Sequence, residues 1–135
     1  MKSFHLTLRD AARHERIENV VSFVGEDLSG SFGILAGHHR MITSLVFGLA
    51  RFRTLNGTWQ YLAMPGAMLY FTGDQLHINA RHYLRSDDYE NISRALVDIL
   101  AVEEQDLLEM KTNLRRMEES IMRRLLEMEK QGGNP

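Results

Sequence analysis

Between Asp87 and Lys130 the chain has neither a glycine nor a proline. A run of that length without a backbone breaker can hardly be anything but helix. Asp87 suits the N-cap, with Glu90 three residues on at the capping-box spacing. Leu96, Leu100, Leu107, Met110, Leu114, Met117, Ile121 and Met128 then fall on one stripe of three- and four-residue steps, interrupted by Glu103 and Arg124. The pattern predicts an amphipathic helical arm. It leaves two forms open: a hairpin turning within Glu103-Glu104-Gln105-Asp106, or one helix of roughly 40 residues, about 60 Å long.

Before Arg85 the grammar is different. Every glycine except Gly132 and Gly133 lies there, and the apolar period is two. Phe4, Leu6 and Leu8 alternate with Ser3, His5 and Thr7, as in a strand with one buried face. Further strand-like runs are Val20 to Val24, Leu45 to Arg53, Thr58 to Met64, Ala67 to Thr72 and Gln75 to Ala80. Turn residues separate them: Gly25-Glu26-Asp27, Ser29-Gly30, Asn56-Gly57, Pro65-Gly66 and Gly73-Asp74. Asn56-Gly57 is the strongest hairpin signal, because Asn-Gly tolerates the positive φ angles of a type I′ turn. Such spacing argues for an antiparallel sandwich or barrel rather than a parallel sheet over residues 1–85, followed by a helical domain over 86–135.

Composition closes off several functions. A formal charge of −2 gives no basic excess for nucleic acid or an anionic membrane. Without cysteine there are neither disulfides nor thiolate chemistry. Met1 to Asp10 lacks the apolar core of a signal peptide, and no stretch nears the ~20 apolar residues of a membrane span. The expectation is a soluble or peripheral protein.

Catalytic patterns are missing too. His38-His39, His77 and His82 invite a metal reading, but adjacent histidines on a strand point to opposite faces, and the spacing matches neither a His-Glu-x-x-His helix nor a zinc finger. Ser29-Gly30-Ser31 sits in an apparent loop with no assigned base, and no nucleophile elbow, Walker loop or dinucleotide fingerprint is present. Asp87-Asp88 complement a helix dipole, and Glu103-Glu104 suit a solvated face. The sequence therefore predicts no catalytic residue, no metal and no cofactor. On the arm, Lys111, Arg115, Arg116, Arg123 and Arg124 interleave with acids. They read either as a solvated face laced with i,i+4 pairs or as a basic surface for an acidic partner.

Gly30-Ser31-Phe32-Gly33-Ile34-Leu35-Ala36-Gly37-His38 resembles the Gly-x-x-Gly-Ile-Leu-Pro-Gly-His segment of the epsilon subunits of F-type ATP synthases. Met41-Ile42-Thr43-Ser44-Leu45, Phe4-His5-Leu6 and the turn at Pro65-Gly66 continue the likeness, and the order of parts agrees over nearly the whole chain. The resemblance implies a non-catalytic rotor subunit of the central stalk. Its N-terminal domain would be an antiparallel β-sandwich of about ten short strands that binds the gamma subunit and rests on the membrane rotor ring, peripheral to the cytoplasmic face of a bacterial inner membrane. Ser31, Phe32, Gly33 and His38 would make the ring or gamma contact. Arg115, Arg116, Arg123 and Arg124 would meet catalytic subunits and restrain ATP hydrolysis.

The departures from the family pattern are specific. Ser31 stands where many relatives carry Glu, and Ala36 and Arg40 replace two common prolines. Glu90-Asn91-Ile92-Ser93-Arg94-Ala95 keeps only the Arg-Ala half of the ATP-binding motif known on some arms. These differences imply a divergent branch, such as that of an alternative ion-translocating ATPase. The competing expectation is a free-standing β-sandwich adaptor that oligomerises through its helix, with a cupin-like isomerase third.

Overall fold

The computed structural model describes residues 2–132. Nine strands precede one helix: β1 (Phe4–Arg9), β2 (His14–Asp27), β3 (Gly30–Ile34), β4 (Met41–Leu45), β5 (Gly48–Thr54), β6 (Trp59–Met64), β7 (Ala67–Thr72), β8 (Gln75–Ala80), β9 (Leu84–Ser86) and α1 (Tyr89–Gly132). The expected sandwich and helical arm are both present. Every pairing is antiparallel except β1 with β8, which run parallel.

The fold turns on β2. Its first half pairs with β1, extending one layer in the order β4-β7-β8-β1-β2. Its second half lies between β3 and β5 and opens the other layer, which continues through β6 to β9. The handover falls at a register shift between Val20 and Ser22, beside Asn19 at φ 59°. An extra residue in one strand bends it and sharpens its twist. Asparagine tolerates the left-handed conformation there. The Asn19 carbonyl also accepts the Leu55 amide at 3.0 Å, which fixes the corner.

The inward faces meet in a core that includes Phe4, Leu6, Leu8, Phe23, Phe52 and Phe71, all essentially inaccessible. The Phe4-Leu6-Leu8 alternation is thus a buried face, as expected. The β5–β6 hairpin forms where Asn56-Gly57 predicts it, but not as a two-residue type I′ turn. Only Gly57 has positive φ, at 83°, and its amide donates to the Thr54 carbonyl at 2.9 Å in a longer loop. The type I′ signature appears instead at Gly73-Asp74, φ 54° and 56°, joining β7 directly to β8.

The helix is one element, without a break at Glu103–Asp106. Glutamate and glutamine are good helix formers, and nothing there supplies a stop signal. Its cap is Asp88 rather than Asp87: Asp88 Oδ1 accepts the amides of Glu90 at 3.0 Å and Asn91 at 3.3 Å. Glu90 therefore falls too early to complete a capping box. Contacts divide the chain into two compact units, Met1–Leu100 and Ala101–Pro135. Within the first, Ile92 and Ile99 are buried against Ala63 of β6, with Leu96, Phe47, Leu49 and Tyr61 around them. In the second unit the apolar side chains of the stripe are exposed.

Candidate functional site

The Gly30–His38 segment contains the edge strand β3 and the turn that follows it. Ser31 is not in a loop, as the sequence suggested: it lies in β3, opposite Glu26 of β2. Strand alternation then divides its neighbours. Phe32 and Ile34 face inward, with the Phe32 ring 6.4 Å from Phe23, while Ser31 and Gly33 face out. The Ser31 hydroxyl makes a long contact of 3.5 Å to the Gly25 carbonyl, and it borders a shallow depression with Glu26, Arg51, Tyr61 and Tyr89.

His38 has different surroundings. Its ring stands edge-on to buried Phe71 at 5.9 Å and close to His39 at 4.7 Å, with Nδ1 2.7 Å from the His39 carbonyl. The turn before it is built on Gly37, φ 82°, where a side chain would be strained. Asp74 holds that turn. Its Oδ1 accepts the Gly37 amide at 2.8 Å across 37 residues of sequence, and its carbonyl accepts the His5 amide at 3.0 Å. One residue in the β7–β8 turn thereby ties β1 to the His38 loop.

The tip between β2 and β3 is fixed in the same manner. Asp27 Oδ1 accepts the Ser29 amide at 2.9 Å and the Ser29 hydroxyl, and Oδ2 accepts the Thr43 hydroxyl at 2.8 Å. These bonds hold the Asp27 carboxyl below its ordinary pKa. The tip they shape presents Leu28 at 96% exposure. Leu35 also faces solvent, and so do Ile42 of β4 and Tyr70 of β7, which are direct cross-strand neighbours. His77 of β8 stacks on Tyr70 at 5.7 Å, and burial beside Arg9 and Arg16 lowers its pKa. Sequence reasoning passed over these apolar positions. Alternation in Met41–Leu45 was the available signal for Ile42, and a leucine inside a turn was the signal for Leu28.

Of the four arm arginines, only Arg116 and Arg123 share a stripe. Seven residues of helix separate them by about 20° around the axis, whereas Arg115 and Arg124 lie about 180° apart. Among the described residues no three side chains cluster to hold a metal, and no helix is long and apolar enough to cross a membrane.

A family model, that of the β-sandwich domain of the ATP synthase delta/epsilon chain, matches residues 3–86. The chain belongs to this family. Its match covers β1 to β9, so every surface described above except the arm lies inside the delta/epsilon sandwich. ATP synthase epsilon chain 2 of Cereibacter sphaeroides is 41% identical over 59 residues, 44% of this chain and 40% of that one. The epsilon chain of Prochlorococcus marinus is 29% identical over 75 residues, 54% and 55% of the two chains. The chain thus spans about half the length of these relatives. A chain of the Euglena gracilis mitochondrial ATP synthase, solved with OSCP, F1 and c-ring, has a TM-score of 0.56 at 21% identity, over 71% of this chain and 62% of that one. A chain from the central stalk and c-ring of the Tetrahymena thermophila enzyme has a TM-score of 0.53 at 13% identity, covering 62% and 66%. Both share the fold of this chain over the matched parts.

The Asp74 clamp makes a prediction for this sandwich. Asp74→Ala loses the acceptor for the Gly37 amide and puts alanine at φ 56°, and together these should cost about 2 kcal/mol. Asp74→Asn keeps both an acceptor oxygen and tolerance of left-handed backbone, and should be near neutral. Urea unfolding of the two variants checks this. Equal losses would remove the clamp from the account.

Proposed function

We propose that this chain is a non-catalytic rotor subunit of an ATP synthase central stalk. Its sandwich binds the gamma subunit and rests on the membrane rotor ring, peripheral to the cytoplasmic face of a bacterial inner membrane. The observation that carries this reading is the match of residues 3–86 to the delta/epsilon sandwich domain. The site geometry supports it, since a stalk subunit must transmit torque through contacts that do not yield. Asp74 braces the His38 turn and Asp27 braces the Leu28 tip, so both are presented from rigid supports.

In this reading Ser31 and Gly33 offer the outer side of β3, and His38 offers the braced turn. Phe32 acts from within, seating β3 on the core. Arg116 and Arg123 form the stripe that meets an acidic segment of the catalytic subunits, with Arg115 and Arg124 flanking it, and this contact restrains ATP hydrolysis. No nucleotide is needed by the chain itself.

The experiment is capture of the matching gamma subunit by the full chain and by a chain ending at Leu100. Equal capture by both would place the interaction on the sandwich and leave the arm for regulation. If folded gamma is retained by neither, the stalk reading fails, and a free-standing adaptor oligomerising through its helix replaces it.

A further inference from the structure

Thr7 of β1 sits at the centre of a basic ring. It lies on the outer face of its layer, opposite the Phe4, Leu6 and Leu8 core, and is itself only 8% exposed. Arg16 of β2 and His77 of β8 are its direct cross-strand neighbours. Strand alternation puts His5 and Arg9 on the same face, one on either side along β1. With strands about 4.8 Å apart and alternate residues about 6.7 Å apart, these four surround one small side chain. His14 stands opposite Arg9 at the margin, and Tyr70 stacks on His77 at the other side.

Acids do not balance this ring. Arg16 has Glu18 at 3.9 Å, both side chains being more than half exposed. Arg9 has no carboxylate partner among the described residues. The Nδ1 atoms of His5 and His77 are buried without a hydrogen-bond partner, whereas buried polar groups are normally paired. Besides burial, Arg9 and Arg16 lower the His77 pKa, so both guanidiniums act on the space beside that ring. We propose that the face around Thr7 is an oxyanion site that takes a phosphate group, gripped by the Arg9 and Arg16 guanidiniums with His5 and His77 beside them. Guanidinium groups offer paired donors that match phosphate oxygens. The inference stands apart from the stalk reading, since the free chain carries the whole ring.

Histidine ring NMR of the full chain, titrated with inorganic phosphate at constant ionic strength, tests it. His5 and His77 should shift together and saturate at roughly millimolar phosphate, while His38, His39 and His82 stay in place. Bound phosphate should also raise the His77 pKa, because a nearby anion favours the imidazolium. Arg9→Gln and Arg16→Gln should each raise the half-saturating concentration by roughly tenfold. Arg51→Gln, on β5 of the other layer, should leave it unchanged, and thermal unfolding confirms that each variant is folded. ATP in the same titration separates the sources: tighter saturation, weakened by the same substitutions, makes the ligand a nucleotide phosphate, and saturation no tighter makes it free phosphate. Shifts that grow linearly without saturating would overturn the proposal. So would equal shifts with acetate, or saturation indifferent to both Arg9→Gln and Arg16→Gln.

Discussion

A chain cut after Arg85 should be far less stable than one cut after Leu100, although the family's sandwich domain ends near the first cut. The extra residues, 86–100, bring Ile92 and Ile99 onto Ala63, where they are 2% and 7% exposed. Full burial of an isoleucine side chain is worth about 1.5–3 kcal/mol, so the two together contribute roughly 3–6 kcal/mol. Domains of this size are stable by only about 5–15 kcal/mol in total. The shorter chain should therefore sit close to its folding threshold, with Ala63, Phe47 and Leu49 newly exposed. The longer chain should unfold at nearly the urea concentration of the full protein. Equal midpoints for the two truncated chains would mean that the first turns of the helix are ornament to the sandwich.

This prediction also governs how binding should be measured. Capture of gamma by a chain ending at Arg85 would confound lost contact with lost fold. A chain ending at Leu100 retains the packed helix turns and removes only residues of the second unit. The sequence stripe itself conceals this division, because Leu96 and Leu107 look alike in the pattern. Only the position of Ala63 makes the turns through Ile92, Leu96 and Ile99 part of the sandwich unit.

The strands were legible where one face is buried and the other wet. Ala67–Thr72 and Gln75–Ala80 have the boundaries that their alternation and flanking turns predict. The first half of β2, His14–Asn19, was invisible because it is mostly polar and owes its strand state to pairing with β1. β3 was hidden by two glycines, which local propensity assigns to turns but which serve here as edge-strand residues opposite Asp27 and Val24. The helix was plain from the missing breakers. Its singleness was not, since Glu103–Asp106 carries no decisive signal either way. The resemblance singled out the Gly30–His38 segment, yet the residue that braces it could not be read from there. Asp74 lies 37 positions from Gly37 and looks like an ordinary turn aspartate until the β7–β8 hairpin brings it across.

Phe71→Ala should be among the most damaging single substitutions in the sandwich. Its ring is fully buried on β7 and meets two others edge-on, Phe4 at 5.6 Å and His38 at 5.9 Å. Truncating a buried phenylalanine costs about 3–5 kcal/mol through lost transfer energy and the cavity left behind. In a domain of this size that lowers the melting temperature by more than about 12 °C. Phe71→Leu separates the two functions of the ring. It keeps most of the apolar volume facing Phe4 and should cost much less, but it removes the aromatic edge against the His38 imidazole. The His38 ring protons should then shift in the NMR spectrum while the rest of the core stays near its native positions. If the leucine variant left those protons unmoved, His38 would owe its position to the Asp74–Gly37 clamp alone. If the alanine variant melted like the native chain, Phe71 would not be the link between the core and the candidate contact loop. A large loss with alanine and a local shift with leucine together would make this ring the point where sandwich stability and the geometry of the His38 turn are set by the same side chain.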